Sequence, residues 1–445
     1  MSQQPPLTVL QDWLDSYLNF EAAPKKNIFW LDTMNFLCGR FKNPHEFYKK
    51  IHVAGSKGKG SVSAMVASIL ESAGNKTGLY TSPHILDFSE RIGTAHAPLE
   101  EAIYEKSVLE LMHSIDPIIP EQLPGERTIT WFELVTTFAF LCFKNANMDW
   151  AVFETGLGGR LDATNVITPN ASVITPIELE HTEFLGNSLE EIAKEKAGII
   201  KHGVPVFIAK QNETVANVFK QKAAECGSPV FFADDLLTSC KGTVHGDCTK
   251  IELDSPLFLR PIKTCLKLMG SFQAENAGLA AVTIKTLFPC MDESVVEEGL
   301  AKATLPGRFE MAGNKDCPII MDGAHTPKSV SLSLETFNFF VHDIKSKPHL
   351  IFSCAADKKV EEIAKLFIGF DKITLTRPGE AKESDLNRMM KAFSAAGLEY
   401  KHNMDYVEAI QQAVWEAQKA KTPLLVIGSF YLVAEAKKII AAQSL

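Results

Sequence analysis

The sequence predicts an α/β protein with two largely parallel sheets, and three observations predict it. Short apolar runs alternate with amphipathic stretches along most of the chain, the pattern of strands joined by crossover helices. A glycine-rich segment, Gly55-Ser56-Lys57-Gly58-Lys59-Gly60-Ser61, stands between one such run and one such stretch. The alternation breaks at Leu305-Pro306-Gly307-Arg308 and then resumes. We therefore divide the chain into a larger unit, residues 1–303, and a smaller α/β unit, residues 304–445. At roughly 100–200 residues per domain, 445 residues suit two or three such units.

The glycine-rich segment predicts a phosphate cradle. Val62, Met65, Val66, Ile69, Leu70 and Ala73 follow it at helical spacing, and Gly74 stands where that helix would stop. Strand, glycine loop and helix N-terminus together present backbone N–H groups and a positive dipole end to an anion. Lys59 is placed to reach outer phosphates as a point charge. The spacing departs from G-x-x-x-x-G-K-[ST], because Gly60 separates Lys59 from Ser61. The alternative is a glycine loop with a solvated lysine pair.

The remaining elements follow in order. Leu7–Leu18 and Ile28–Phe41 read as helices, separated by Pro24. A strand at 77–81 ends in Ser82-Pro83-His84, and helices follow at 99–114 and 131–145 around a Pro/Gly-rich connection at 117–125. Strands at 150–153 and 171–175 precede Ser188-Leu189-Glu190-Glu191, a capping box opening a helix that carries Lys194, Lys196 and Lys201 near its end. Strands at 204–209 and 230–233 flank a helix at 212–225. Residues 234–268 are β-like, with Gly242 and Gly246 as turn residues, and helices near 272–287 and 292–303 close the first unit. Strands at 318–322, 349–354, 372–376 and 423–428 build the second.

Composition excludes several classes. A net charge of −9 argues against a general binder of nucleic acid or anionic membranes. No stretch reaches the ~18 apolar residues of a membrane span, and no signal-peptide pattern opens the chain. Nine scattered cysteines without a C-x-x-C pair read as reduced thiols of a cytoplasmic protein.

Polar groups at strand ends are the candidates for chemistry, because open α/β sheets bind ligands there. Ser82, Glu154 and His181 all fall at such ends. Glu154 could hold Mg²⁺ as a Walker-B acid does, with the others beside it, or each could serve its own turn. Gly156-Leu157-Gly158-Gly159 allows close backbone approach to a ligand, or a tight turn. Asp162 and Asn165 could hold polar substrate groups or cap a turn. Asp322-Gly323-Ala324-His325 closes a strand of the second unit, and Arg308 lies in the hinge. Both could meet a nucleotide or act locally. On spacing alone, Lys196 reads as a solvated lysine.

Taken together, His52–Ser61, Tyr80–His84, Glu90–Ile92, Glu154–Asn165, His181–Gly186, Glu195–Ile199, Leu305–Arg308 and Asp322–His325 resemble the folylpolyglutamate synthase/dihydrofolate synthase family of the Mur ligase superfamily. The resemblance spans roughly residues 10–440, with the motifs in family order. It implies an N-terminal P-loop ATPase-like domain and a smaller C-terminal Rossmann-like domain, with ATP and glutamate between them. It places Ser56, Lys57, Gly58, Lys59, Gly60 and Ser61 on the ATP phosphates, and Asn276, Arg308, Asp322 and His325 at the nucleotide. It gives Ser82, Glu154 and His181 to Mg²⁺, with Lys196 as a carbamylated, carboxylate-like metal ligand. It lines a pterin site with Thr130, Phe132, Asp162 and Ala163. Lys59, Lys196 and His181 become the catalytic group. Ser56-Lys57 stands where the family usually has Thr-Asn, and Glu180 where it usually has Asp. The N-terminal segment near Ile28–Leu31 also departs from the family pattern.

The implied reaction is ATP-dependent addition of L-glutamate to dihydropteroate and to the tail of reduced folates through an acyl phosphate. The implied partners are those small molecules, with no nucleic acid or membrane, acting on a monomer. Folylpolyglutamate synthase activity alone, and a Mur-type cell-wall amino-acid ligase, are the alternatives.

Overall fold

The computed structural model describes residues 4–19, 30–314, 317–342, 344, 346–380 and 382–442. Its first sheet has seven strands: β1 (Lys49–Ala54), β2 (Thr77–Tyr80), β3 (Ile92–Gly93), β4 (Trp150–Glu154), β5 (Ala171–Ile174), β6 (Val206–Ile208) and β7 (Val230–Phe232). Their spatial order is β3-β2-β4-β1-β5-β6-β7, parallel except for β3 against β2. β1 therefore sits centrally, with Val53 opposite Glu154 on one side and Val173 on the other. Strands covered on both faces should be apolar throughout, and β4 and β5 are buried at every position.

The helix Lys59–Ser72 lies against this sheet and is buried continuously from Gly60 to Leu70. Serine and alanine on its polar-looking faces make that possible, since the helices Gln273–Leu287 and Glu293–Lys302 cover it. Gly299 lets the latter approach the backbone of Ile69, where a side chain would collide. Ser68 then donates to the Gly299 carbonyl at 2.5 Å. A second apolar cluster on the opposite face centres on the helix Trp131–Asn145.

Residues 239–266 form a separate antiparallel sheet of β8 (Ser239–His245), β9 (Cys248–Asp254) and β10 (Ile262–Leu266). Gly246 makes the expected turn at φ +60°, but Gly242 lies within β8, packed against the Ser271 carbonyl. Cys248 and Cys265 are bonded in this sheet, which corrects the expectation of reduced thiols throughout.

The third sheet has six strands: β11 (Glu310–Asn314), β12 (Cys317–Asp322), β13 (His349–Phe352), β14 (Lys372–Leu375), β15 (Lys401–His402) and β16 (Leu424–Ile427). Their order is β11-β12-β16-β13-β14-β15, parallel except for β11. The short strands β3 and β15 and the glycine-containing β11 are sheet-edge elements that apolar patterning did not reveal. The first helix ends at Leu14 rather than Leu18, and Lys201 lies beyond its helix, which ends at Ala197. The second helix runs Asp32–Arg40; its expected start at Ile28 and the break at Pro24 lie outside the described residues.

Candidate functional site

The carboxyl ends of β1, β2, β4 and β12 meet around the start of the helix Lys59–Ser72. Gly55 leaves β1 at φ +147°, pressed against the Thr175 side chain, so a side chain there is excluded. The N–H groups of Ser56 and Lys57 both bond to the Pro176 carbonyl, at 3.0 and 3.2 Å. These two amides tie the loop to the segment after β5. Gly58 turns the chain at φ +86°, and the helix begins without a side-chain cap. Its first internal bond runs from Val62 N–H to the Gly58 carbonyl at 2.9 Å. The N–H groups of Lys59, Gly60 and Ser61 precede that bond, at the positive end of the helix. Asn276 seals the loop from above: a Cβ on Gly58 would stand 2.5 Å from its Oδ1.

Glu154, at the end of β4, faces this helix start. A Cβ on Gly60 would lie 3.4 Å from Glu154 Oε2, and the Ser82 N–H donates to the same oxygen at 3.2 Å. Burial raises the Glu154 pKa, against the stabilising charges of Lys59, Arg308 and Arg91. Glu90 shapes the Ser82 segment by accepting the N–H groups of Ile85, Leu86 and Asp87.

The second unit reaches the same place. Leu305 touches the space above Gly60, and Arg308 stacks on Phe430 at 4.2 Å between Glu154 and Asp322. Asp322 accepts from the Ala324 N–H at 2.8 Å and the Ser333 hydroxyl at 3.0 Å. Burial raises its pKa, against Arg308. The His325 ring bonds the Gly323 carbonyl at 2.8 Å and meets Phe430 edge-on at 5.8 Å.

Lys196 is not a solvated lysine. It is 1% exposed, and its Nζ donates to the Gly55 carbonyl at 2.7 Å and to Glu180 at 3.1 Å. Burial lowers its pKa to about 8, against the pull of Glu180. The other Glu180 oxygen pairs with Lys57 at 3.5 Å. Burial acts to raise the Glu180 pKa, but Lys196, Lys59 and Lys57 together hold it below the carboxylate range. Thus the extra charge of Lys57 has a partner one methylene longer than aspartate. His181 adopts left-handed φ +47°, ψ +39° at the start of a short helix, an uncommon conformation for a non-glycine residue. His181 is exposed at the surface, and desolvation by its neighbours, with the charges of Lys358, Lys59 and Lys196, lowers its pKa against Glu180.

The glycines after Glu154 serve this arrangement. Gly156 accommodates the Phe132 ring, and a Cβ on Gly159 would meet the Lys196 backbone at 3.0 Å. They bring protein surfaces together around Lys196. Phe132 also packs on Tyr80 at 6.2 Å. Thr130 caps the helix Trp131–Asn145 and exchanges bonds with Glu133. Asp162 starts the short turn that holds Ala163, and accepts the Leu157 N–H at 2.9 Å. Thr130, Asp162 and Ala163 are all buried.

Four residues of the site escaped the sequence reading in these roles: Glu180, Phe430, Lys358 and Lys328. Lys328 bridges the two units by an ion pair to Glu178 at 3.0 Å. Only Glu180 left a signal, as a departure beside His181. Among the described residues, no three His, Cys, Asp or Glu side chains cluster as a metal site. Of the three residues the resemblance gives to a metal, Ser82 and Glu154 meet through the Ser82 N–H, whereas the charges around His181 are those of Glu180, Lys358, Lys59 and Lys196.

Comparison with known proteins identifies the family. Residues 53–284 match the Mur ligase middle domain, and 307–430 match the Mur ligase, glutamate ligase domain. A dihydrofolate synthase/folylpolyglutamate synthase of Bacillus subtilis is 29% identical, over 97% of this chain and 99% of that protein. The folylpolyglutamate synthase of Lacticaseibacillus casei is 31% identical, over 89% of this chain and 91% of its own. The chain spans about half, 46% and 48%, of two longer archaeal relatives. The structure of Mycobacterium tuberculosis folylpolyglutamate synthase complexed with ADP superimposes with a TM-score of 0.86 at 26% identity, covering 98% of each chain. The chain therefore belongs to the folylpolyglutamate synthase/dihydrofolate synthase family of Mur ligases.

Proposed function

We propose that this protein is an ATP-dependent carboxylate–amine ligase that adds L-glutamate to dihydropteroate and to the glutamate tail of reduced folates. The observation that carries the reading is the convergence on Glu154 of the phosphate-loop helix from one sheet and Arg308 from the other. In this reading residues 1–303 hold the phosphates and pterin, and residues 304–445 complete the nucleotide and glutamate sites. The protein acts as a cytoplasmic monomer; among the described residues no helix is long and apolar enough to cross a membrane.

A carboxylate is a poor acyl donor at neutral pH, so the acceptor's carboxylate first takes the γ-phosphoryl group of ATP, releasing ADP. The N–H groups at the helix start, with Lys59, orient the phosphates, and Arg308 offsets charge on the transferring group. The amine of glutamate then attacks the acyl carbon, and phosphate leaves. Contact between the two units, through Leu305 at Gly60 and Lys328 at Glu178, limits water access to the acyl phosphate. Ser82, Glu154 and His181 are the residues to hold Mg²⁺, which would neutralise phosphate charge when bound. A carbamate on Lys196 fits with one adjustment. It would retain one N–H for the Gly55 carbonyl and leave Glu180 to the charges of Lys59 and Lys57.

The test is ADP release by the purified protein with ATP, Mg²⁺ and glutamate, comparing dihydropteroate with tetrahydrofolate. Glutamate-dependent release with both is expected. Release with tetrahydrofolate alone leaves only the tail-extending activity, and release with neither overturns the reading. Lys196→Ala should lose turnover and regain part of it with added short carboxylic acids.

A further inference from the structure

Phe430 opens the helix Phe430–Ala442 after β16, and its ring is seated on two glycines. A Cβ on Gly323 would stand 2.0 Å from Cε1 of the ring, and one on Gly307 would stand 3.4 Å from Cδ1. The Gly323 N–H donates to the Gly307 carbonyl at 3.1 Å, which joins the end of β12 to the hinge as one floor for the ring.

The Arg308 guanidinium lies over this ring, its carbon 4.2 Å from the ring centroid. Asp322 and Glu154 act on Arg308 through their charges. Their oxygens are engaged elsewhere: Asp322 accepts from the Ala324 N–H and the Ser333 hydroxyl, and Glu154 Oε2 accepts from the Ser82 N–H. Among the described residues no group forms an ion pair or a hydrogen bond with the Arg308 guanidinium. A guanidinium donates in its own plane, so a ring against its face consumes none of its five N–H groups. A carboxylate partner would also hold it, but would take up two of those donors and offset the charge.

Arg308 and Phe430 line one cavity with Ser82, Glu154 and Leu305. Glu154 and Leu305 also flank Gly60 in the first turn of the helix Lys59–Ser72, so the cavity adjoins the positive end of that helix. The charge of Lys59 reaches Glu154 as well. A guanidinium with free donors, a helix start and a lysine therefore converge, which is a set of groups that recognises a phosphoryl oxyanion.

We propose that Phe430 is a positioning residue for Arg308: its ring fixes the guanidinium beside Glu154 and leaves every N–H donor free for the oxygens of the terminal phosphoryl group of ATP. The inference rests on the phosphoryl-transfer role proposed for Arg308. It also gives Gly307 and Gly323 a task, as the seat of the ring.

The experiment is a double-mutant cycle on Phe430 and Arg308 in the full-length protein. It reads kcat for ADP release with ATP, Mg²⁺, glutamate and tetrahydrofolate, KM for tetrahydrofolate, ATP affinity by calorimetry without acceptor, and thermal stability. Phe430→Leu keeps an apolar side chain and removes the ring. Its kcat should fall about tenfold, the scale of a desolvated cation–π contact, while KM for tetrahydrofolate stays within about twofold. In an Arg308→Ala background the same change should cost less than about twofold. Pentafluorophenylalanine at position 430 keeps the outline of the ring and removes its electron-rich face. It should lower kcat as Phe430→Leu does, with the thermal stability of the wild type. Full activity with the fluorinated ring, or equal losses from Phe430→Leu with and without Arg308, would assign Phe430 a packing role and overturn the proposal. If Arg308→Ala leaves kcat and ATP affinity unchanged, the phosphoryl reading of Arg308 fails and takes the inference with it. If Arg308→Ala lowers kcat while neither change at Phe430 does, only the inference fails. If the wild type releases no ADP, the ligase reading fails, and the inference is decided by the same cycle run on ATP affinity.

Discussion

Glu180→Gln is the perturbation that most directly probes the charge balance behind the phosphate loop. The substitution preserves shape and removes the anion shared by Lys196 at 3.1 Å and Lys57 at 3.5 Å. At an effective dielectric of ~20, each contact corresponds to about 5 kcal/mol of Coulomb attraction. Desolvation offsets much of that sum. Removing one member of a buried pair typically costs about 3–5 kcal/mol, because the remaining charge is left without compensation. Lys196 can escape part of that cost by losing its proton. Its folded pKa of about 8 already lies below the ordinary lysine value of 10.5. Hence at pH 7 the variant should lose about 3 kcal/mol, the lower end of that range. The deficit should shrink as pH rises towards 8, over the range where Lys196 is already neutral in the variant but still charged in the wild type, and level off above it. The sign follows from linkage: between pH 8 and 10.5 the unfolded chain holds a proton the folded chain has released, so wild-type stability rises with pH through that window. For the variant the same rise begins at lower pH. Urea unfolding from pH 6.5 to 9.5 in CO₂-depleted buffer reads this directly. A deficit below about 1 kcal/mol, or one that does not change with pH, would refute the shared-anion account.

Three further outcomes are expected. Gly159→Ala places a methyl group 2.9–3.0 Å from the backbone of Glu195 and Lys196, which cannot retreat as a side chain would. It should destabilise by about 1–3 kcal/mol and lower turnover more than ATP affinity, as measured by unfolding and by steady-state kinetics. Burial lowers the His45 pKa to about 4, so wild-type stability should fall as pH drops from 6.5 towards 4, by at most ~1.4 kcal/mol per pH unit from this group. His45→Gln should show a shallower acid limb in the same titration; an unchanged slope would mean His45 does not titrate differently on unfolding. Lys328→Ala removes an ion pair whose lysine is 66% exposed, so it should cost no more than ~1 kcal/mol of stability. Its scattering profile should nonetheless shift towards a more open form if that pair helps hold the units together.

Local patterning was sufficient to locate most elements. The helix at 131–145 is found where its periodicity placed it, and the Ser188 capping box opens the helix carrying Lys196. Loop glycines were also legible, because Gly55 and Gly58 hold positive φ values that other residues avoid. What patterning missed has a common cause. β3 and β11 lie at sheet edges, where one side of the strand has no neighbour to demand an apolar run. Gly242 resembled a turn residue but is a strand position crowded by the Ser271 carbonyl. Cys248 and Cys265 are 17 residues apart in sequence and adjacent only after β9 and β10 pair.

The same division applies to the site. By itself the sequence determined the strand–loop–helix unit at Gly55–Ser61, the carboxylate closing β4 and the motif order that marks the family. Each depends on neighbours in the chain: a glycine where φ is positive, a polar residue where an apolar run ends. Only the tertiary structure decided what Lys57 and Lys196 do. Spacing assigned both to solvent or to phosphate, whereas Glu180 takes them both as partners, across 123 positions of chain from Lys57 (180 − 57) and 16 from Lys196 (196 − 180). A charge's role is fixed by whatever lies within a few ångströms of it in a desolvated interior, and that neighbour is chosen by how the strands are ordered rather than by the order of residues.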